Sequence, residues 1–333
     1  MKSFRYALFV LLVAALGATQ LVAQPDSGYK VNRRIPLGGD GGWDYLKFDA
    51  ASQRLFVARA TRVMVVDLAS GKLAGEIPNT LGVHGVALVP ELGRGVTSNG
   101  KEDSATVFDL KTLAPIAKVK TGGKPDAILF DPFSGLVLTF NGKSNTVTLI
   151  DAAKAQAVGS IDLPGRPETG VSDGKGKVFV NLEDKNQLAV IDVAARKVLG
   201  TWALPGCEEP TGLAFDAANR RLFSACHSGV LVVTDAVSGR NVAQVAIGAG
   251  VDAADYDEPA KLVFTSNGEG SISVIRQESA DKYTALARVA TQKGAKTMAL
   301  DPETHTVYTV ALGVPDVSGK PGPFELLVVS PGK

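Results

Sequence analysis

The stretch Leu136-Val137-Leu138-Thr139-Phe140-Asn141-Gly142-Lys143-Ser144-Asn145-Thr146-Val147-Thr148-Leu149-Ile150-Asp151 decides the fold of this chain. Two runs rich in β-branched and large apolar residues flank a short polar segment, which is the pattern of a β-hairpin. An Asn-Gly pair tolerates the positive φ angles of a tight turn. We therefore predict two antiparallel strands, with Asn141-Gly142 as the turn chemistry, and the same for Asn99-Gly100 and Asn267-Gly268.

This hairpin recurs along the whole chain. The later strand of the hairpin ends in an Asp that follows two other residues, and this string occurs five times: Val65-Val66-Asp67, Val107-Phe108-Asp109, Leu149-Ile150-Asp151, Val190-Ile191-Asp192 and Val233-Thr234-Asp235. Successive Asp residues are separated by 42, 42, 41 and 43 positions. The strand before it recurs seven times, at Arg54 to Arg59, Gly95 to Asn99, Leu136 to Asn141, Val178 to Leu182, Leu222 to Cys226, Leu262 to Asn267 and Val307 to Leu312. A repeat of about forty residues with four antiparallel strands is typical of one β-propeller blade. The sequence predicts an all-β, seven-bladed propeller.

The two ends of the chain complete the ring in this prediction. The seventh repeat stops after its third strand, Glu325 to Ser330, which leaves an open sheet edge. The segment Lys30 to Leu37 has a strand-like composition and no partner in the first repeat. We expect it to be the outer strand of the last blade, where it covers an edge that would otherwise promote aggregation.

The second strands carry a motif that resembles a known repeat. The strings are Gly95-Val96-Thr97-Ser98-Asn99, Leu138-Thr139-Phe140-Asn141 and Val263-Phe264-Thr265-Ser266-Asn267, each followed about ten residues later by an apolar pair and Asp. They look like the YVTN repeat of YncE-like β-propeller proteins, and the resemblance covers essentially the whole mature chain. It implies a propeller scaffold of the kind found at the cell surface or in the periplasm.

The N-terminus has the pattern of a secretory signal peptide. Lys2 and Arg5 precede an apolar run from Ala7 to Leu16, which is shorter than the roughly 20 residues that a membrane-spanning helix needs. We expect residues 1–23 to be removed near Ala23-Gln24 and residues 24–333 to form a single propeller. This predicts a monomer without a membrane span, located in the periplasm or outside the cell.

Composition limits the partners and the redox state. The 35 Lys and Arg residues nearly balance the 34 Asp and Glu residues, and no basic block with interleaved aromatics occurs, so nucleic acid is not an expected partner. Cys207 and Cys226 are the only cysteines. In an oxidising compartment we predict that they form a disulfide. A metal site that uses Cys226 and His227 is the alternative.

The loops that lead into the first strands, and those that join second to third strands, should share one face around the central channel. Counting five residues back from the end of each first strand predicts a ring of Asp44, Gly85, Asp126, Glu168, Thr211, Asp252 and Lys296. Neighbouring residues and the second-to-third loops add Trp43, His84, Arg59 and His227 as candidate ligand-binding residues, with Glu183 and Glu208 beside them. Converging carboxylates repel one another, which raises some of their pKa values or favours a bound cation. A solvated ring that only hydrogen-bonds the inner strands is the alternative interpretation.

Two functions are consistent with this pattern. The first is an exported, non-catalytic binding module of the cell envelope that holds a small polar ligand, a cation or an envelope protein; no set of catalytic residues is evident in the sequence. The second is a hydrolase of the propeller-lactonase type, in which the acidic mouth holds a divalent cation that polarises an ester carbonyl.

Overall fold

A computed structural model describes residues 24–332 of the chain. In this part the chain forms 29 strands and one short 3-10 turn, Pro90–Leu92, arranged as seven antiparallel sheets. The predicted signal peptide lies outside the described residues. Within them, the structure has no helix long and apolar enough to cross a membrane.

Each sheet is one blade of the predicted propeller. Blade 1 contains β2 (Leu46–Asp49), β3 (Arg54–Arg59), β4 (Arg62–Asp67) and β5 (Lys72–Ile77). Blade 2 contains β6 (Val83–Val89), β7 (Arg94–Asn99), β8 (Ser104–Asp109) and β9 (Pro115–Lys120). Blade 3 contains β10 (Pro125–Asp131), β11 (Leu136–Asn141), β12 (Thr146–Asp151) and β13 (Gln156–Asp162). Blades 4 and 5 contain β14 (Pro167–Ser172), β15 (Lys177–Leu182), β16 (Gln187–Asp192), β17 (Lys197–Ala203); and β18 (Pro210–Asp216), β19 (Arg221–Cys226), β20 (Val230–Asp235), β21 (Asn241–Ala246).

Blade 6 departs slightly from the four-stranded plan. It contains β22 (Val251–Asp257), β23 (Leu262–Asn267), β24 (Ser271–Ser279) and β25 (Lys282–Ala285), and the two-residue strand β26 (Val289–Ala290) also pairs with β24. Blade 7 is made from both ends of the chain. It contains β27 (Met298–Asp301), β28 (Thr306–Leu312), β29 (Phe324–Pro331) and, at its outer edge, β1 (Tyr29–Pro36).

Ring closure occurs as the sequence predicted. Strand β1 pairs antiparallel with β29 from Tyr29 opposite Pro331 to Pro36 opposite Glu325. The next two backbone amides, of Leu37 and Gly38, both donate to the carbonyl oxygen of Phe324 at 2.8 and 3.0 Å. The chain therefore passes directly from the closing strand to the loop that leads into blade 1.

The core lies between neighbouring blades. The second and third strands are almost entirely buried, because both faces of each sheet pack on the next blade. Aromatic rings of neighbouring blades also contact each other. For example, the ring centroids of Phe56 in blade 1 and Phe108 in blade 2 are 6.1 Å apart. The hydrophobic stabilisation is therefore distributed around the ring and is not concentrated in one centre.

The Asn-Gly pairs lie at the predicted turns and also have a buried role. Each glycine begins the turn that joins the second strand to the third, as predicted, but none of Gly100, Gly142 and Gly268 has a positive φ, so the turns are not the two-residue type that an Asn-Gly pair favours. Each Asn is the buried last residue of a second strand. The Asn141 amide nitrogen donates to the hydroxyls of Thr146 and Thr148 at 3.0 and 2.9 Å, and its oxygen accepts from the Thr139 hydroxyl at 3.1 Å. The sequence did not indicate this buried role, in which the Asn amide bonds to neighbouring hydroxyls and ties the second strand to the third.

Asn99 and Asn267 make equivalent bonds in blades 2 and 6. The motif on which the resemblance rests is thus a buried polar cluster that repeats with the blades.

Asn141→Ala should lower the free energy of unfolding by about 2–3 kcal/mol, because it leaves buried hydroxyls without a partner. Urea denaturation of the two proteins measures the difference. Gln156→Ala, at an exposed position on β13 of the same blade, is the control and should change stability by less than about 0.5 kcal/mol. Equal effects of the two substitutions would contradict a stabilising role for the buried cluster.

Candidate functional site

Register places one side chain from each blade at the channel mouth. In blades 2 to 6 the first paired residue of the inner strand lies opposite the last residue of the second strand, as with Val83 opposite Asn99 and Pro125 opposite Asn141. The residue after it is the equivalent mouth position. In blade 3 this residue, Asp126, lies five positions before the end of the inner strand, Asp131. The same offset from the strand ends Asp49 and Asp301 gives the equivalent residues of blades 1 and 7. The mouth ring therefore consists of Asp44, His84, Asp126, Glu168, Thr211, Asp252 and Lys296.

This register corrects one member of the predicted ring. The sequence count placed Gly85 in the ring and His84 beside it. In the structure the inner strand of blade 2 ends at Val89, and Pro90 begins the 3-10 turn in place of the usual terminal Asp. Counting five residues back from Pro90 gave Gly85, whereas counting from the true strand end, Val89, gives His84. His84 is therefore the residue equivalent to Asp126.

Three members of the ring, from three successive blades, form a cluster in which the central His84 contacts the other two. The Nδ1 atom of His84 lies 2.6 Å from Oδ2 of Asp44 and 3.2 Å from Oδ1 of Asp126. One ligand atom from each of the three residues lies within 4.8 Å of the others, and all three residues are half-buried. Among the described residues this is the one group of His, Cys, Asp and Glu side chains with the spacing of a metal site.

Neighbouring residues fix the positions of these side chains. A Cβ atom on Gly100 would lie 2.7 Å from Nε2 of His84, so the imidazole packs directly over a glycine. The Thr297 hydroxyl donates to the Asp44 carbonyl at 2.9 Å, and the Ser98 hydroxyl donates to the Asp126 carbonyl. Side chains of adjacent blades therefore hold the backbone on either side of the cluster.

Sequence reasoning missed Tyr45. Its hydroxyl donates to Oε1 of Glu168 at 2.7 Å and lies 3.4 Å from the Thr169 hydroxyl. Tyr45 follows Asp44 directly, and the alternation of side chains along a strand would place the two residues on opposite faces, so the sequence carried no signal for this contact.

Asp252 has a cationic partner within the ring. Nζ of Lys296 lies 2.5 Å from its Oδ2 atom. The predicted repulsion between carboxylates is thus relieved locally, by Lys296, by His84 and by the Tyr45 hydroxyl.

Burial and the neighbouring charges shift the pKa values of four groups at the mouth. Burial raises the pKa of Asp44, and burial together with the charge of Asp126 holds the pKa of Glu168 well above its usual range. Burial lowers the pKa of His84, but the hydrogen bond with Asp44 and the charges of Asp126 and Asp44 outweigh it, so its pKa is raised overall. Burial and Glu168 also raise the pKa of Tyr45.

Arg59 does not lie in a loop at the mouth as predicted. It is the fully buried last residue of β3, at the register position that Asn99 and Asn141 occupy in other blades. Its guanidinium lies 3.7 Å from the centre of the Phe324 ring and donates to the carbonyl oxygens of Gly39 and Gly41 at 2.6 Å each. Arg59 therefore holds the backbone of the loop that precedes Asp44, through the carbonyl oxygens of Gly39 and Gly41.

Two cavities open along the channel. A cavity of about 470 Å³ at the mouth is lined by Gly42, Trp43, Asp44, Ala60, Gly82, Val83, His84, Gly100, Lys101 and Lys124. Trp43 stands at its edge, with its indole nitrogen donating to the Gly294 carbonyl at 3.3 Å. A second cavity of about 330 Å³ lies along the inner strands and is lined mainly by apolar and small residues, with Tyr45, Lys47 and Thr169 as polar exceptions.

His227 lies apart from the His84 cluster. It lines an acidic cleft of about 540 Å³ between blades 4 and 5, with Arg166, Glu183, Asp184, Asn186, Glu208, Glu209 and Ser228. Cys207 and Cys226 form a disulfide whose Cα atoms are 5.4 Å apart. This bond connects the two segments that carry Glu208 and His227, and Cys226 is therefore not free to ligate a metal.

His305, the third histidine, lies in the turn between β27 and β28. Its Nδ1 atom is 2.8 Å from Oδ2 of Asp257, whose side chain is fully buried. His305 is thus part of a histidine and carboxylate pair away from the mouth.

Comparisons with known proteins agree with the fold. No protein-family model matches the chain, and no curated protein matches it. Among solved structures, Kuenenia stuttgartiensis hydrazine synthase aligns with a TM-score of 0.72 and 16% identity over 82% of this chain and 94% of the other. A chain of the mitotic checkpoint complex aligns with a TM-score of 0.72 and 13% identity over 98% of each chain. At these identities the similarity concerns the propeller fold alone.

We predict that Asp255, on the inner strand of blade 6, makes the stability of the protein depend on pH. Burial raises its pKa to about 6, although Tyr256 and Lys47 act in the opposite direction. The unfolded chain ionises this carboxyl near pH 4, so the folding penalty should develop between about pH 4 and pH 6 and reach about 2–3 kcal/mol above that. In urea denaturation, the stability of Asp255→Asn relative to the wild type should therefore increase from pH 4 to pH 7. A difference that stays constant with pH would contradict this assignment.

Proposed function

We propose that the protein is a non-catalytic propeller module that binds a small polar ligand of positive charge in its channel mouth. One observation carries the proposal: four of the seven ring positions are carboxylates, and one of them, Asp44, lines the mouth cavity together with the indole of Trp43. Carboxylates and an aromatic face together recognise ammonium groups through charge and cation–π attraction. The mouth cavity of about 470 Å³ is large enough for a ligand of this kind.

The location of the module is part of the same proposal. We infer that it is exported to the periplasm or the extracellular space and is similar to YncE-like proteins of the cell envelope. The N-terminal pattern, the pairing of both cysteines and the repeated Thr-x-Asn clusters support this. N-terminal sequencing of the protein from the producing cell should give a mature chain that begins near Gln24. A chain that retains Met1 would contradict export.

The binding role can be tested with small cations as probes. In isothermal calorimetry with chelator present, choline or spermidine should bind, and the double variant Glu168→Gln/Asp252→Asn should weaken binding about tenfold or more, because it removes two carboxylates from the ring. Glu258→Gln, an exposed carboxylate in the turn after β22, is the matched control and should leave the affinity unchanged. Failure of both probes and of further amines to bind would contradict the proposal.

A lactonase-type hydrolase is the second candidate, favoured by the contact of Asp44, His84 and Asp126. Carboxylate and imidazole groups of this kind can hold a cation that polarises a carbonyl, and can transfer protons. Turnover of a lactone that is lost in Asp126→Asn would move the assignment from binding module to hydrolase.

A further inference from the structure

We propose that Asp44, His84 and Asp126 form a binding site for one divalent first-row transition-metal ion, with Zn²⁺ as the reference ion. This inference deepens the proposed function, because it specifies a ligand for the same mouth. Its ligands come from the first three blades, and each stands at the equivalent ring position.

The ligand types indicate the class of metal. One imidazole nitrogen with two carboxylate oxygens suits Zn²⁺ and its neighbours in the first transition row, whereas Ca²⁺ requires six to eight oxygens. Three protein ligands leave a fourth position open, and the cluster borders the mouth cavity, where water or a ligand can occupy that position.

The geometry is close to that of a tetrahedral site. Bonds of about 2.0–2.2 Å hold tetrahedral ligand atoms about 3.4 Å apart. The Nδ1 atom of His84 is 3.2 Å from Asp126 Oδ1 and 2.6 Å from Asp44 Oδ2. The imidazole nitrogen therefore needs to separate from each of these two oxygens by less than about 1 Å to admit an ion, and the oxygens of Asp44 and Asp126 lie within 4.8 Å of each other.

The local charge also favours a cation at this point. Two carboxylates share a single imidazole, whereas Asp252 has the ammonium group of Lys296 as its own partner at 2.5 Å. Lys124 approaches Asp126 only to 3.5 Å, and its side chain is 55% exposed, so it neutralises the pair weakly.

The imidazole is held in the orientation that binding requires. Gly100 allows the ring to pack closely on the strand end, with Nε2 towards Gly100 and Nδ1 towards the two carboxylates. Gly142 occupies the same register in blade 3, but a Cβ atom there would meet nothing closer than 3.7 Å. The two glycines therefore provide a matched pair of substitutions.

Cobalt provides the most direct readout. The full mature chain, purified without an affinity metal and freed of chelator, is titrated with Co²⁺ by visible absorption and then with Zn²⁺ in competition. We expect one ion per chain, and a dissociation constant raised by at least about 100-fold in His84→Gln and in Asp126→Asn. His305→Gln, which removes the other histidine paired with a carboxylate, should leave binding unchanged.

The glycine pair tests the orientation of the imidazole without removing a ligand atom. Gly100→Ala should weaken Co²⁺ binding about tenfold and alter the absorption spectrum, whereas Gly142→Ala should not. Circular dichroism establishes that each variant is folded. If His84→Gln does not fold, Asp44→Asn replaces it, with the same expected loss.

Several outcomes would overturn the inference. These are no Co²⁺ or Zn²⁺ binding, binding that His84→Gln and Asp126→Asn leave intact, or a site that takes Ca²⁺ in preference to Zn²⁺. The organic-cation experiment runs with chelator present and uses variants of Glu168 and Asp252. Failure of the metal site is thus distinguishable from failure of the proposed function.

Discussion

The pairing of β1 with β29 is the interaction on which the rest of the structure depends. It joins blade 7 to the N-terminal segment, and the chain then continues through a glycine-rich loop to Trp43 and Asp44. Arg59 and Phe324 hold that loop against the closed blade. The position of Asp44 opposite His84 is therefore a consequence of ring closure, and so is the approach of Lys296 to the same opening.

The regular strand register of the blades creates the site at the mouth. Because every inner strand pairs with its second strand in the same register, one side chain per blade faces the mouth, whatever its chemistry. Seven such positions hold four carboxylates, two basic residues and one threonine. A narrow opening could not hold that charge unpartnered, and the ring distributes it among an imidazole, an ammonium and a tyrosine hydroxyl. Asp44 and Asp126 share one imidazole, whereas Glu168 has an uncharged hydroxyl as its partner.

The fold was predictable because its signals repeat. Spacing alone located the second strands to within about one residue and identified Lys30 to Leu37 as the closing strand. The mouth was predictable only in part. The exchange of Gly85 for His84 depended on a 3-10 turn at Pro90, which a residue count does not detect. The burial of Arg59 depended on Phe324, about 265 residues further along the chain. The Tyr45 and Glu168 contact also joins distant blades, so no local pattern reports it.

The most direct test of this account is an anomalous difference map at the zinc absorption edge, from crystals of the mature protein grown with Zn²⁺. The account predicts one strong peak between Nδ1 of His84, Oδ2 of Asp44 and Oδ1 of Asp126. A strongest peak in the acidic cleft beside Glu183 and His227, or no peak at the mouth, would contradict it.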